Sequence, residues 1–284
     1  MGSIDEHPRK IHSNKGFHND FGFFECTSRS PSSNKTYFHG YGDGPWVYCL
    51  SAGDQDKFGG AGFVVESLDN LEYTAKILPE ATAIYRLKDA PGEEKGVTFK
   101  DLVDGWPMHL VWGQEERKLD LDDDHSFPRI DFDFINCYLF DARPQTWPLR
   151  NSDERFYEDI RVLYFRFNLV ASDLLHTPEG HNVIAFNRID RSPTTLVDHH
   201  PFFFFEGPVS HVHYSSFETT TSTLKYSATT GCAKKSTRHI MGSQIFAYWF
   251  DPSKFILEHY VDGDLMDNKE PTNVSVSSND NLVV

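Results

Sequence analysis

The run IFAYWFDPSKFILEHYV, residues 245–261, constrains the fold more than any other stretch of the chain. Two aromatic-rich apolar segments flank an Asp251–Pro252 turn, the pattern of a β-hairpin. The same pattern recurs. TYFHGYGDGPWVYCLS (36–51) alternates aromatic and polar residues around Gly-Asp-Gly, a second hairpin signal. GGAGFVVES (59–67) and the segments 181–189 and 211–218 read as further strands. HHPFFFFEG (199–207) is strongly apolar but far short of the ~20 residues of a membrane span, so it reads as a buried strand. Helical spacing is clearest at 67–80, where Ser67 is placed to cap and Leu68, Leu71, Ala75 and Leu78 share a face. A second helix is expected near 152–165.

A chain of 284 residues with 14% aromatic residues can bury substantial cores. Its charge, 27 − 42 = −15, disfavours a phosphate backbone as partner, so no nucleic acid is expected. The four cysteines, at 26, 49, 137 and 232, show no C-x-x-C spacing, which fits a reducing compartment. The first residues, MGSIDEHPRKIHSNK, are polar and carry no apolar signal core. The expectation is a cytoplasmic protein without a membrane partner.

The expected organisation is a tail with one remnant strand (1–36), a first module (37–117), a charged linker containing Pro128 (118–135), a second module (136–264) and a disordered tail (265–284). The fold class expected is α+β, with cup-shaped mixed or antiparallel sheets.

Several segments carry a more specific resemblance: YFHGYGDGPWVYCL, FGGAGFVVESLDNLE, VDHHPFFFFEGPVSHVHYSSFE and RHIMGSQIFAYWFDPSKFILEHYVDGDL among them. The chain resembles the vicinal oxygen chelate superfamily of glyoxalases and bleomycin-resistance proteins, and within it the extradiol ring-cleavage dioxygenases of filamentous fungi. The resemblance covers most of 21–117 and 167–265. It implies two βαβββ-type modules, the first truncated here because its first strand and most of its first helix have no counterpart. It also implies an Fe(II) site on two histidines and a glutamate in the second module, open to a catecholate and O2. The C-terminal signature falls on His239, Tyr248, Asp251–Pro252 and Glu258, which puts Glu258 in the carboxylate place.

The histidine ligands do not follow. Counting back from Phe217–Glu218, one metal position is occupied by Tyr214, with His213 as its neighbour. A one-residue slip along a strand turns a side chain to the other face, so His213 needs a bulge to take that place. The other position falls near Pro144, in a stretch without histidine. The resemblance thus leaves the pocket groups without their metal. His200, His239, Tyr248 and Glu258 are the expected acid/base residues. His213, Tyr214, Phe202, Phe246 and Trp249 are expected to contact substrate.

The function expected is a redox-neutral enzyme of secondary metabolism. It would act without cofactor on a phenolic or polyketide-derived ligand by cyclisation, isomerisation or dehydration. Two alternatives stand beside it: an Fe(II)-dependent extradiol dioxygenase with Glu258 as ligand, and a small-molecule binding protein without catalysis. A first module lacking its first strand would expose a sheet edge, from which a homodimer is expected.

Overall fold

The computed structural model describes residues 2–6, 11–26, 34–40, 42–101, 105–118, 136–142, 167–191, 194–207, 211–219 and 237–278. The helix expected at 152–165 and all but the first residue of the expected linker lie outside these.

The N-terminal half begins with β1 (Gly2–Glu6) and α1 (Ile11–Phe21), followed by β2 (Phe24–Glu25), β3 (Lys35–His39) and β4 (Tyr48–Ala52). The same succession then repeats: β5 (Lys57–Val64), α2 (Leu68–Ile77), β6 (Tyr85–Arg86), β7 (Lys95–Lys100) and β8 (Pro107–Trp112). These strands form one sheet in the order β2-β3-β4-β1-β5-β8-β7-β6. The order is two βαβββ units back to back, joined by the antiparallel pair β1–β5. The helix read at 67–80 is α2, and the Ser67 side chain accepts from the Asn70 amide at 3.3 Å as an N-cap should.

The segment expected to be a loose tail is therefore part of the fold. β1 lies between β4 and β5 and pairs with both. The gap expected at the start of the first module is filled by β1, from within the chain. Polar composition concealed α1, whose buried side is narrow: His18 is fully buried against Tyr48, and Phe21 is buried against the other half of the molecule.

The C-terminal half carries a second large sheet. Its strands are β9 (Asn136–Ala142), β10 (Leu169–His176), β11 (Asn182–Ile189), β12 (Val197–Asp198), β13 (Phe202–Gly207), β14 (Val212–Glu218), β15 (Thr237–Arg238), β16 (Ile245–Phe250), β17 (Ile256–Val261), β18 (Leu265–Met266) and β19 (Asn273–Val276). Among the described residues nine of them form a sheet in the order β15-β16-β17-β14-β9-β13-β11-β10-β19, with β9–β14 as the central antiparallel pair. The N-terminal sheet thus holds two βαβββ units, and the strand order of the C-terminal sheet follows the same arrangement.

The stretch expected to be a disordered tail is tied down as far as residue 278. β18 pairs with β12 and β19 pairs in parallel with β10. The buried Arg188 guanidinium donates to the Glu270 carbonyl at 2.6 Å, and the Thr272 hydroxyl donates to the Ala171 carbonyl at 2.8 Å.

The halves meet through a shared core. Phe58, Leu71, Phe99 and Leu110 of the first cluster with Leu169, Ala185, Phe202 and Phe204 of the second. No helix among the described residues is long and apolar enough to cross a membrane.

Candidate active site

The C-terminal sheet is curved, and alternation decides what its concave face carries. On β16, Phe246 and Tyr248 face the cup; on β17, Glu258 and Tyr260 do so. Glu258 is the register partner of Tyr248 on one side and of Ser216 on the other. It has no exposed surface. Burial pushes its carboxyl above the ordinary glutamate value, against the opposing pull of His239, Ser216 and Tyr248.

His239 enters from the turn ahead of β16. Its ring stacks on Phe246 at 3.7 Å between centroids, 14° from parallel. This places Nε2 3.5 Å from the Glu258 Oε1 and 3.5 Å from the Tyr248 hydroxyl. Burial, and after it the nearness of His199 and of His239, hold His200 well below the usual histidine value.

A relay behind His200 went unread in the sequence. Asp173 Oδ2 stands 2.6 Å from His199 Nε2, and His199 Nδ1 stands 2.8 Å from His200 Nδ1. Burial would raise the Asp173 carboxyl. Hydrogen bonds from His199 and Asn273, with Arg188 nearby, outweigh it and hold Asp173 low, hence ionised. An ionised Asp173 accepts from His199 Nε2–H. The His199–His200 contact holds one hydrogen between the two Nδ1 atoms, and when His200 is its donor, His200 Nε2 is the unprotonated nitrogen. The signal available was the adjacent His199–His200 pair; nothing in the sequence tied it to Asp173, 26 residues earlier in the chain.

β14 carries a bulge. Its register with β9 shifts between Val212 and Ser215. Consecutive side chains of His213 and Tyr214 both reach the Phe203 ring, at 6.3 and 5.7 Å between centroids. Tyr214 also meets Tyr248 edge-on at 5.0 Å. Burial lowers His213 to about 4. The structure therefore brings His200, His239, Tyr248, Glu258, His213, Tyr214 and Phe246 to one cup.

Two residues expected there are elsewhere. Phe202 packs in the shared core between the halves, 6.4 Å from Phe63, while Phe203 faces the cup. Trp249 points away from Tyr248 and meets Phe21 at 6.5 Å on the convex side. Both corrections follow from strand alternation: one position along the strand changes the face.

The donor set does not match a site of two histidines and one carboxylate. Glu258 supplies a carboxylate, but its neighbours on β14 are Tyr214 and Ser216, and the sequence of β9, NCYLFDA, holds no histidine. Among the described residues no group of three His, Cys, Asp or Glu is gathered as metal ligands.

No family model matches the sequence, and no curated protein does. Solved structures do resemble this fold. The Mn(II)-bound glyoxalase from Novosphingobium aromaticivorans superposes with a TM-score of 0.71 at 16% identity, covering 98% of this chain and 87% of that one. Homoprotocatechuate 2,3-dioxygenase from Brevibacterium fuscum, in complex with 3,4-dihydroxyphenylacetate, gives 0.74 at 13% identity, covering 97% and 84%. The 2,3-dioxygenase LapB from Pseudomonas sp. KL28 gives 0.75 at 15% identity, covering 97% and 96%. The chain thus has the α+β fold of the vicinal oxygen chelate glyoxalases and extradiol dioxygenases, over nearly its whole length.

Proposed function

We propose that this protein is a redox-neutral enzyme that works by acid/base catalysis on a phenolic or polyketide-derived substrate held in the C-terminal cup. One observation carries the reading. Glu258 is fully buried and inclined to keep its proton, 3.5 Å from His239, with a serine and a tyrosine as strand neighbours. A carboxyl whose proton is held by burial is suited to act as a proton donor.

The residues divide the work. His200 Nε2, kept unprotonated by burial and oriented by the contact with His199, takes a proton from a phenolic hydroxyl or an enolisable carbon. Tyr248 and His239 hydrogen-bond the oxygen on which negative charge gathers. Glu258 delivers a proton to the other end of the conjugated system. The outcome is a cyclisation, isomerisation or dehydration, with no net electron transfer. The aromatic cup of Phe203, Tyr214 and Phe246 excludes water from these exchanges. That a dioxygenase of this fold binds 3,4-dihydroxyphenylacetate supports a substrate of phenolic class.

The test is hydrogen exchange. A phenol bearing an enolisable β-diketone, incubated with the protein in D2O, should exchange its α-proton faster than in buffer, as read by NMR. Glu258→Gln and His200→Ala should each abolish the acceleration. Exchange at the buffer rate with the unaltered protein would refute the reading.

A further inference from the structure

The N-terminal sheet has a concave face of its own, and it is not filled. Its cavity measures about 340 Å³, within the range of small-ligand sites. Gly62, without a side chain, forms part of its floor. β5 and β8 are aligned with Gly62 opposite His109. Gly60 lies two residues before Gly62 on the same face, and Gly96 stands one strand beyond. In the C-terminal half the strands in the matching places of the sheet, β14 and β16, present Tyr214, Ser216 and Phe246 instead. Gly60 and Gly96 are themselves covered: a Cβ at Gly60 would come 2.4 Å from His109 Nε2, and one at Gly96 would come 3.0 Å from Leu87 Cδ1.

The cavity is walled by held groups. Tyr37 and Trp46 are buried and meet edge-on at 5.0 Å. The Trp46 indole N–H donates to the buried Glu94 carboxylate, which fixes the plane of the ring. On the opposite side a directed chain of hydrogen bonds runs along the wall. The Gly59 carbonyl accepts from His109 Nε2–H at 2.9 Å. A neutral His109 then accepts at Nδ1 from the Thr98 hydroxyl at 2.8 Å, and that hydroxyl accepts from Tyr85 at 2.7 Å. His109, Tyr85, Tyr37 and Trp46 all line the space.

Charge supplies the ligand class. Lys35, Arg86 and Lys88 line the cavity with one acid, Asp89. That local excess of cations stands in a chain whose net charge is −15. Fixed aromatic walls suit a flat ring, and exposed cations along the lining suit an anionic substituent on it.

We propose that the N-terminal cup is a second small-molecule site, separate from the Glu258 cup, and that it takes an aryl carboxylate. The proposal does not rest on the catalytic reading of the C-terminal half. Calorimetric titration of the full chain with 4-hydroxybenzoate tests it, with 4-hydroxybenzamide as the uncharged counterpart. The carboxylate should bind and the amide should bind at least about tenfold more weakly. The double variant Arg86→Glu, Lys88→Glu changes only exposed side chains and should weaken the carboxylate by a similar factor. Gly62→Leu should remove binding by filling the floor, and Glu258→Gln should leave it unchanged. No binding at millimolar carboxylate, equal binding of the amide, or affinity that survives the charge reversal would each overturn the proposal. Affinity lost in Glu258→Gln would place the ligand in the other cup and overturn it as well.

Discussion

Phe21 stacks on His259 with ring centroids 3.7 Å apart and planes 27° from parallel, joining the first helix of the chain to the strand that carries Glu258. The two residues come from opposite ends of the sequence. His259 and Glu258 are neighbours on β17 and face opposite ways, so the helix braces one side of the strand while the carboxyl lies on the other. Phe217 and Trp249, on the flanking strands, meet the same Phe21 ring at 6.0 and 6.5 Å.

Phe21→Ala should therefore destabilise the protein by about 3 kcal/mol, the usual cost of emptying a buried phenylalanine site. Urea denaturation measures it. A loss under about 0.5 kcal/mol, the scale of a surface change, would show that α1 is not seated on these strands.

Stability should fall steeply below pH 6.5. Burial lowers His259 to about 3 and His213 to about 4, and lowers His200 well below its usual value. Each is neutral in the fold and takes up a proton more readily when unfolded. Between 6.5 and its folded value the unfolded state binds more protons, so each histidine removes about 1.4 kcal/mol per pH unit of acidification. Denaturation midpoints from pH 7 to 5 should drop accordingly, and His213→Phe should flatten the profile. A profile that is level across this range would contradict the burial of these rings.

Glu258 has the opposite sign. Its folded value is raised, so the fold holds that proton more tightly than the unfolded chain does. Its favourable contribution is full below about 4.5 and is lost as pH rises through the folded value. Glu258→Gln removes the cost of burying a carboxylate while keeping its shape. The variant should melt higher than the parent at pH 8, with the difference shrinking toward pH 4, and it should be inactive. A variant that melts lower at pH 8 would mean the carboxylate is stabilised as an anion.

Gly242 is the close approach that lets the histidine pair assemble. It has φ +73°, and a Cβ there would lie 2.8 Å from His200 Cε1 and 3.0 Å from His199 Nδ1. Gly180, at φ +94°, has open space around its would-be Cβ. Both alanine variants should carry a backbone penalty of about 1 kcal/mol, but only Gly242→Ala should add the clash, for about 1–3 kcal/mol more. Equal melting temperatures would show that the pair can shift out of the way.

The hairpin at 245–261, the capped helix after Ser67 and the acid at 258 were legible because each has a strong local signal: alternation around a turn, a cap ahead of a periodic face, a signature motif. β1 and α1 were not. GSIDE and IHSNKGFHNDF are polar, and their place depends on partners distant in sequence, such as Tyr48 and His259. The four consecutive phenylalanines at 202–205 carry no alternation, so their faces could not be read, and Phe202 was placed in the cup that Phe203 occupies. The bulge at His213–Tyr214 left no mark either, because it is set by pairing with β9. The Asp173–His199 contact joins β10 to the bend after β12 and has no local signature.

The central claim is that Glu258 serves as an acid/base group rather than as a metal ligand. Iron content by plasma mass spectrometry, after anaerobic Fe(II) reconstitution and desalting, tests it most directly, with Glu258→Gln in parallel. The account predicts negligible iron in both proteins. About one iron per chain in the parent, lost in Glu258→Gln, would contradict it and make Glu258 a ligand.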